Sequence, residues 1–289
     1  MSHGRWGRGE AASGRDLAPV YYLSLGDSLS VGVQPIGAEN MQFRTDEGYA
    51  DQLASIVRRR LPNLQAVKLG YPGESTTTLI QGGLTEYPHG SQLDEAVDFL
   101  RAHRGSVAFV TIDIGFNDLE SYVLEAVPAG LASIGRNLPG ILATLQEAAG
   151  PGTPIAGMTI YDPFLPHWLD GPLGRELARI SVWEAVVPFN ACFREVYRAA
   201  GLVLADVEEA FATTDFDTRV ELAGIGPVPI NVARACDWTW GGAPPPLGPD
   251  THANARGYRV IAEAFDRVLG GLPRPTDRRP VRSAAGYSA

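Results

Sequence analysis

The chain has 289 residues, 45% of them hydrophobic and 20% charged, with a formal net charge of −9 and an isoelectric point near 5.1. That length can bury a full core without disulfide or metal staples. The acidic balance argues against a nucleic-acid partner, whose phosphates it repels, and no apolar run reaches the length of a membrane span.

Residues 1–18 are rich in Gly and Arg and are expected to form a flexible leader. Met1–Asp16 lacks the apolar h-region of a secretory signal. Localisation therefore stays open: cytoplasmic as written, secreted if a leader was removed. From Pro19 to Leu25 a short apolar, β-prone run stops at Gly26 and reads as a buried strand. Tyr49, Leu53, Ile56 and Val57 recur at helical spacing, which predicts a helix over Gly48–Leu61, ended by Pro62. Leu64–Leu69 is a second strand, Gln92–His103 a helix, and Val107–Ile114 the clearest strand of the chain. The helix Ile134–Ala149 leads through Gly150-Pro151-Gly152 to a strand at Pro154–Tyr161. A helix over Trp183–Ala200, with Pro188 as a potential kink, precedes the last strand, Leu202–Val207.

The segment Thr213–Gly248 is proline-rich and reads as a long irregular loop, either a pocket wall or a wrap over the sheet edge. Asn254–Leu269 is the final helix, and residues 271–289 are expected to form a disordered tail. Cys192 and Cys236 are too few for a disulfide framework and are expected to be free thiols. Five short apolar strands alternating with helices imply one α/β domain over residues 19–270. Its expected form is a flavodoxin-like three-layer sandwich around a central five-stranded parallel sheet.

Four blocks fall at the carboxyl ends of predicted strands, where ligands sit in such sheets. Gly26-Asp27-Ser28-Leu29-Ser30 follows the first strand and can present a hydroxyl; Gly, Asp and Ser also make plain turns. Gly70-Tyr71-Pro72-Gly73-Glu74-Ser75-Thr76 follows the second and can offer an unhindered N–H or be a plain turn. Gly115-Phe116-Asn117-Asp118 follows the clearest strand; its Asn can donate to an oxyanion or simply close an Asx-turn. Asp250-Thr251-His252 precedes the last helix, where the imidazole can accept a serine proton or be an exposed loop residue. Asp27, Asp113 and Asp118 read as scaffold residues, and His3, His89, His103 and His167 show no metal-ligand spacing.

The order of these blocks resembles the GDSL/SGNH hydrolase family. That family carries Gly-Asp-Ser near the N-terminus, then a glycine block, Gly-x-Asn-Asp, and a C-terminal Asp-x-x-His followed by a pattern like Ala253-Asn254-Ala255-Arg256-Gly257-Tyr258 here. The resemblance covers roughly Tyr21–Leu269. It implies a serine esterase or lipase with Ser28 as nucleophile and His252 as general base. The oxyanion hole would be the N–H groups of Ser28 and Gly73 with the Asn117 amide. The substrate would be a small-molecule or lipid ester, and no metal or organic cofactor is implied.

The sequence departs from the pattern in one place. The family's acid stands three residues before the histidine, where this chain has Pro249, and Asp250 stands two before. Asp250, a backbone carbonyl or the remoter Asp237 is left to orient the imidazole. Short- to medium-chain acyl esters are the first expectation, carbohydrate O-acetyl esters the second and acyl transfer the third. A non-catalytic binding module and a phosphate binder are the rivals from other classes; the latter lacks a Walker lysine and a dinucleotide glycine fingerprint.

Overall fold

The structure is a computed structural model that describes residues 18–36, 41–119 and 123–270. The tail at 271–289 and all of the leader except Ala18 lie outside the described residues. The first strand is β1 (Val20–Gly26). Two three-residue strands, β2 (Gln34–Ile36) and β3 (Met41–Phe43), pair antiparallel beside the site. Next come α1 (Tyr49–Arg58), β4 (Leu64–Lys68), α2 (Thr76–Gln81), α3 (Gln92–Ala102) and β5 (Val107–Asp113). The second half contains α4 (Val127–Ala149), β6 (Ile155–Met158), α5 (Gly171–Ile180), α6 (Val187–Ala199), β7 (Val203–Ala205) and α7 (Val207–Phe211). The hairpin β8 (Arg219–Leu222) and β9 (Gly226–Pro229), α8 (Ile230–Trp238) and α9 (Ala255–Leu269) follow.

The five expected strands form one parallel sheet in the order β4-β1-β5-β6-β7. By chain position that is second, first, third, fourth, fifth, the flavodoxin winding. Its strand order reverses between β1 and β5, and a crevice opens there at the carboxyl ends.

The period of two along each strand sorts side chains between the layers. Leu23, Leu25, Val110 and Ile112 pack against Leu100 of α3, Leu138 and Leu142 of α4, and Phe189 and Phe193 of α6. Tyr22 and Phe109 face the opposite layer, with Tyr49 and Leu53 of α1 and Tyr258, Ile261 and Phe265 of α9. Helix α9 buries that stripe because its apolar residues recur at three and four positions, and Asn254 caps it by accepting from the Arg256 and Gly257 N–H groups. Each such large side chain, fully buried, contributes roughly 1.5–3 kcal/mol.

Three stretches depart from expectation. Helix α4 starts at Val127 rather than Ile134, with Pro128 in its first turn, where the missing N–H costs nothing. The expected Trp183–Ala200 helix is instead a continuous helical run from Gly171 to Ala199, with one π-helical stretch at Ser181–Val186. Thr213–Gly248, expected to be a loop, carries β8, β9 and α8. These close a small separate core of Phe216, Val228 and Val232 against Leu165, Trp168 and Val182. Cys192 and Cys236 are free thiols.

Candidate active site

Strand β1 ends at Gly26 with φ +129°, a backbone that only glycine adopts readily. A Cβ at this position would also lie 1.9 Å from the Asp113 carbonyl oxygen. The Gln92 side chain clamps this exit, accepting from the Gly26 N–H at 2.7 Å and donating to the Gly26 carbonyl at 3.0 Å. The turn that follows is wound around Asp27. Its Oδ1 accepts from the Leu29 N–H at 2.9 Å, and its carbonyl accepts from the Ser30 hydroxyl at 2.7 Å. Ser28 stands at the top of this turn, and its hydroxyl makes only a long 3.4 Å donation to Asp27 Oδ1.

Beyond β5, Asn117 sits in a 3₁₀ turn at Phe116–Asp118. Its Nδ2 donates to Asp27 Oδ2 at 3.2 Å and to the Glu74 carbonyl at 3.0 Å, so the second, third and first blocks are tied through one amide. Asp118 secures the same junction by accepting from the Thr76 N–H at 2.8 Å and the Thr76 hydroxyl at 2.5 Å. Gly73, at φ +85°, precedes that junction. Among the described residues no acceptor engages the N–H of Ser28 or of Gly73.

His252 is buried beside Asp250. One carboxylate oxygen, Oδ1, takes both the His252 backbone N–H at 2.9 Å and ring Nδ1 at 2.7 Å. A two-residue spacing therefore suffices, because the carboxylate folds back as in an Asx-turn while still meeting the ring. An ionised carboxylate only accepts, so Nδ1 carries the proton and Nε2 is left with its lone pair. The other Asp250 oxygen accepts from Gln42 Nε2 at 2.8 Å. Burial pushes the Asp250 carboxyl up, but the His252 hydrogen bonds and charge outweigh it, with help from Gln42, and hold it below its ordinary value. The backbone of this arm is pinned by the Trp240 N–H on the His252 carbonyl at 2.9 Å and the Tyr161 hydroxyl on the Thr251 carbonyl at 2.9 Å. Asp237 lies elsewhere, paired with Arg256 on the surface.

Ser28, Gly73, Asn117 and His252 line one cavity of about 260 Å³. Leu29, Pro72, Phe116, Ile160, Tyr161 and Pro163 supply its apolar walls. No residue lining this cavity comes from Thr213–Gly248, so of the two readings of that segment the pocket wall is not met here; Ile160, Tyr161 and Pro163 of the loop after β6 stand in the wall instead. Gln42 and Gln92 were missed in the sequence. Neither carries a motif, and Gln42 lies on an exposed three-residue strand with no periodic signal. His89 and His167 bond to nearby carboxylates, Glu95 and Asp170 respectively, away from the cavity.

A model of the GDSL-like lipase/acylhydrolase family matches residues 24–260. The chain belongs to that family. As a GDSL hydrolase it is a carboxylic ester hydrolase, with all four blocks inside the matched span. Among solved structures, a putative GDSL-like lipase from Parabacteroides merdae superposes with a TM-score of 0.56 at 16% identity, covering 87% of this chain and 95% of that one. An extracellular lipase from Streptomyces rimosus gives 0.54 at 19%, covering 86% and 99%. An acetylxylan esterase from Geobacillus stearothermophilus gives 0.53 at 15%, covering 87% and 94%. At these identities the likeness speaks for the fold of the GDSL hydrolase, not for its substrate. No curated protein matches the chain.

Proposed function

We propose that this hydrolase cleaves short- to medium-chain carboxylic esters through an acyl-enzyme on Ser28. His252 Nε2 takes the hydroxyl proton as Ser28 Oγ attacks the carbonyl, and the Asp250 carboxylate stabilises the imidazolium and holds its tautomer. The developing oxyanion is met by the N–H groups of Ser28 and Gly73. The Asn117 amide joins them by exchanging its long 3.2 Å bond to Asp27 for the substrate oxygen. His252 then protonates the leaving alcohol, and a water activated by the same nitrogen releases the acid.

The observation that carries this reading is the meeting of a strand-end serine with a carboxylate-oriented histidine on one cavity that also holds three potential oxyanion donors. Apolar walls of Phe116, Ile160 and Pro163 suit an acyl chain better than a sugar. The test is turnover of p-nitrophenyl acetate, butyrate and longer esters, beside an acetylated xylo-oligosaccharide, by wild type and Ser28→Ala. The expected result is a preference for the acyl esters and loss of turnover in the variant. Full activity in Ser28→Ala would overturn the nucleophile, and a preference for the acetylated sugar would overturn the substrate class.

A further inference from the structure

Beneath Ser28 lies a second carboxyl group that the proposed mechanism does not use. The period of two along β5 puts Phe109, Thr111 and Asp113 on the face covered by α1. A buried polar chain runs up this face: the Tyr22 hydroxyl meets Thr111 Oγ1 at 2.7 Å, Tyr49 meets Ser24 at 3.3 Å, and Tyr49 donates to Asp113 Oδ1 at 2.6 Å. Asp113 Oδ2 is buried with no donor to satisfy it among the described residues. Its neighbour across the strand end is Asp27, also buried, whose backbone N–H donates to the Asp113 carbonyl at 3.2 Å and so brings the two side chains to the same strand end. Asp27 already accepts from Leu29 and Asn117, as an ionised carboxylate should. Two ionised carboxylates cannot share such a site, so one of them keeps its proton.

We propose that Asp113 is a neutral carboxylic acid whose proton is donated to the Asp27 carboxylate, and that this proton makes Asp113 a positioning residue for Asn117. The hydrogen bond satisfies the otherwise orphaned oxygen and fixes Asp27 in place. It also limits the charge under the oxyanion hole to one, so that Asp27 holds the Asn117 amide weakly enough to yield it to the substrate. The protonation agrees with the electrostatics: burial pushes both carboxyls up, Asp113 well above its ordinary value with the Asp27 charge adding to the rise, while the Leu29 N–H offsets part of the rise at Asp27. The titratable groups facing the pair are His252 and Glu74 on the cavity side, with the phenols of Tyr22, Tyr49, Tyr161 and Tyr258 in the layer behind.

The role assigned to this proton rests on the esterase reading; its presence does not. Burial pushes the Asp162 carboxyl up to about 6, so the measurement is made at about pH 8, where Asp162 is ionised. The wild-type protein, carrying ¹³C in its aspartate carboxyls, should show an infrared band of a protonated carboxyl that is absent from Asp113→Asn. That variant still donates to Asp27 through its amide and should keep kcat within about threefold of wild type. Asp113→Leu, which cannot donate, should lower kcat by about 10- to 100-fold with KM little changed, approaching the effect of losing an oxyanion donor. Absence of the band in wild type overturns the proposal, as does an Asp113→Asn variant as impaired as Asp113→Leu. Should Asp113→Asn fail to fold, Asp27→Asn decides: a band that does not move when the carboxylate that accepts its proton becomes a neutral amide also overturns it. Loss of all esterase activity with the band intact would instead count against the functional reading alone.

Discussion

The two halves of the site are built in different ways. The nucleophile side is part of the sheet: Gly26, Asp27 and Asn117 are held by the β1–β5 ladder, by Gln92 and by a buried chain of side-chain bonds. The base side is an arm between α8 and α9, outside the sheet. It is fastened by the Thr239–Ala253 β-bridge, by backbone bonds that join Trp238 and Trp240 to Asp250, His252 and Asn254, and by bonds from Tyr161 and Gln42. A nucleophile in a fixed backbone turn keeps the attack geometry set before substrate arrives. On the arm, the imidazole is oriented by its own local carboxylate rather than by the sheet. Changes on the sheet side should therefore disturb both fold and turnover, and changes on the arm chiefly turnover.

The largest expected effect is that of His252→Ala, which should lower kcat by about 10⁵-fold or more while the melting temperature moves by a few degrees at most. A cooperative loss of structure in thermal unfolding would break the comparison. Asp250→Asn comes next, with a loss of about 10³–10⁴-fold, because an amide at that position no longer enforces the tautomer that leaves Nε2 as base. The same variant has a pH signature. The folded-state pKa of Asp250 is depressed, so its carboxylate contributes stability that is fully present above its unfolded value of about 4 and is lost as pH falls through the folded value. Acid unfolding followed by circular dichroism should show that loss in wild type and a shallower one in Asp250→Asn; parallel curves would count against the pairing.

On the sheet side, Asn117→Ala should cost about 10²–10³-fold in kcat and, unlike Gln42→Ala on the arm, also destabilise the fold by about 1–2 kcal/mol through its lost bonds to Asp27 and Glu74. Urea unfolding measures the second part. The smallest effect belongs to Gln42→Ala. Losing one bond to Asp250 should reduce kcat by roughly threefold to tenfold and leave stability within about 0.5 kcal/mol. An equal stability loss in the Gln42 and Asn117 variants would erase the distinction between the two regions.

The same division governs what could be read from the residues. Strands buried on both faces appear as unbroken apolar runs, so Val107–Asp113 and its four parallel partners were legible, and with them the winding and the strand ends that carry Ser28 and Asn117. The first turns of α4 were hidden by Pro128 and Gly130. Proline is harmless in a first turn, and Gly130 is needed because a Cβ there would lie 2.8 Å from the Phe189 ring and 2.9 Å from the Asp118 carbonyl, contacts between residues remote in sequence. The hairpin β8–β9 was masked by its prolines and largely exposed strands, although its three-residue turn with Gly224 at φ +78° is a recognisable hairpin signal. Helix α5 was within reach, since Leu173, Leu177 and Ile180 recur at helical spacing, although Leu173 and Leu177 face outward in the fold. In the site, the local relation of Asp250 to His252 was within reach of sequence spacing. The clamps made by Gln92 on Gly26 and Gln42 on Asp250 span 66 and 208 residues and exist only once the chain is folded.

The central claim, that Ser28 is a nucleophile activated by the arm, is tested most directly by reacting the protein with a fluorophosphonate and locating the adduct by mass spectrometry. The account predicts a single adduct on Ser28 in the wild type, absent in Ser28→Ala and formed far more slowly in His252→Ala. Equal labelling of Ser28→Ala, or labelling of Ser28 at the same rate without His252, would contradict it.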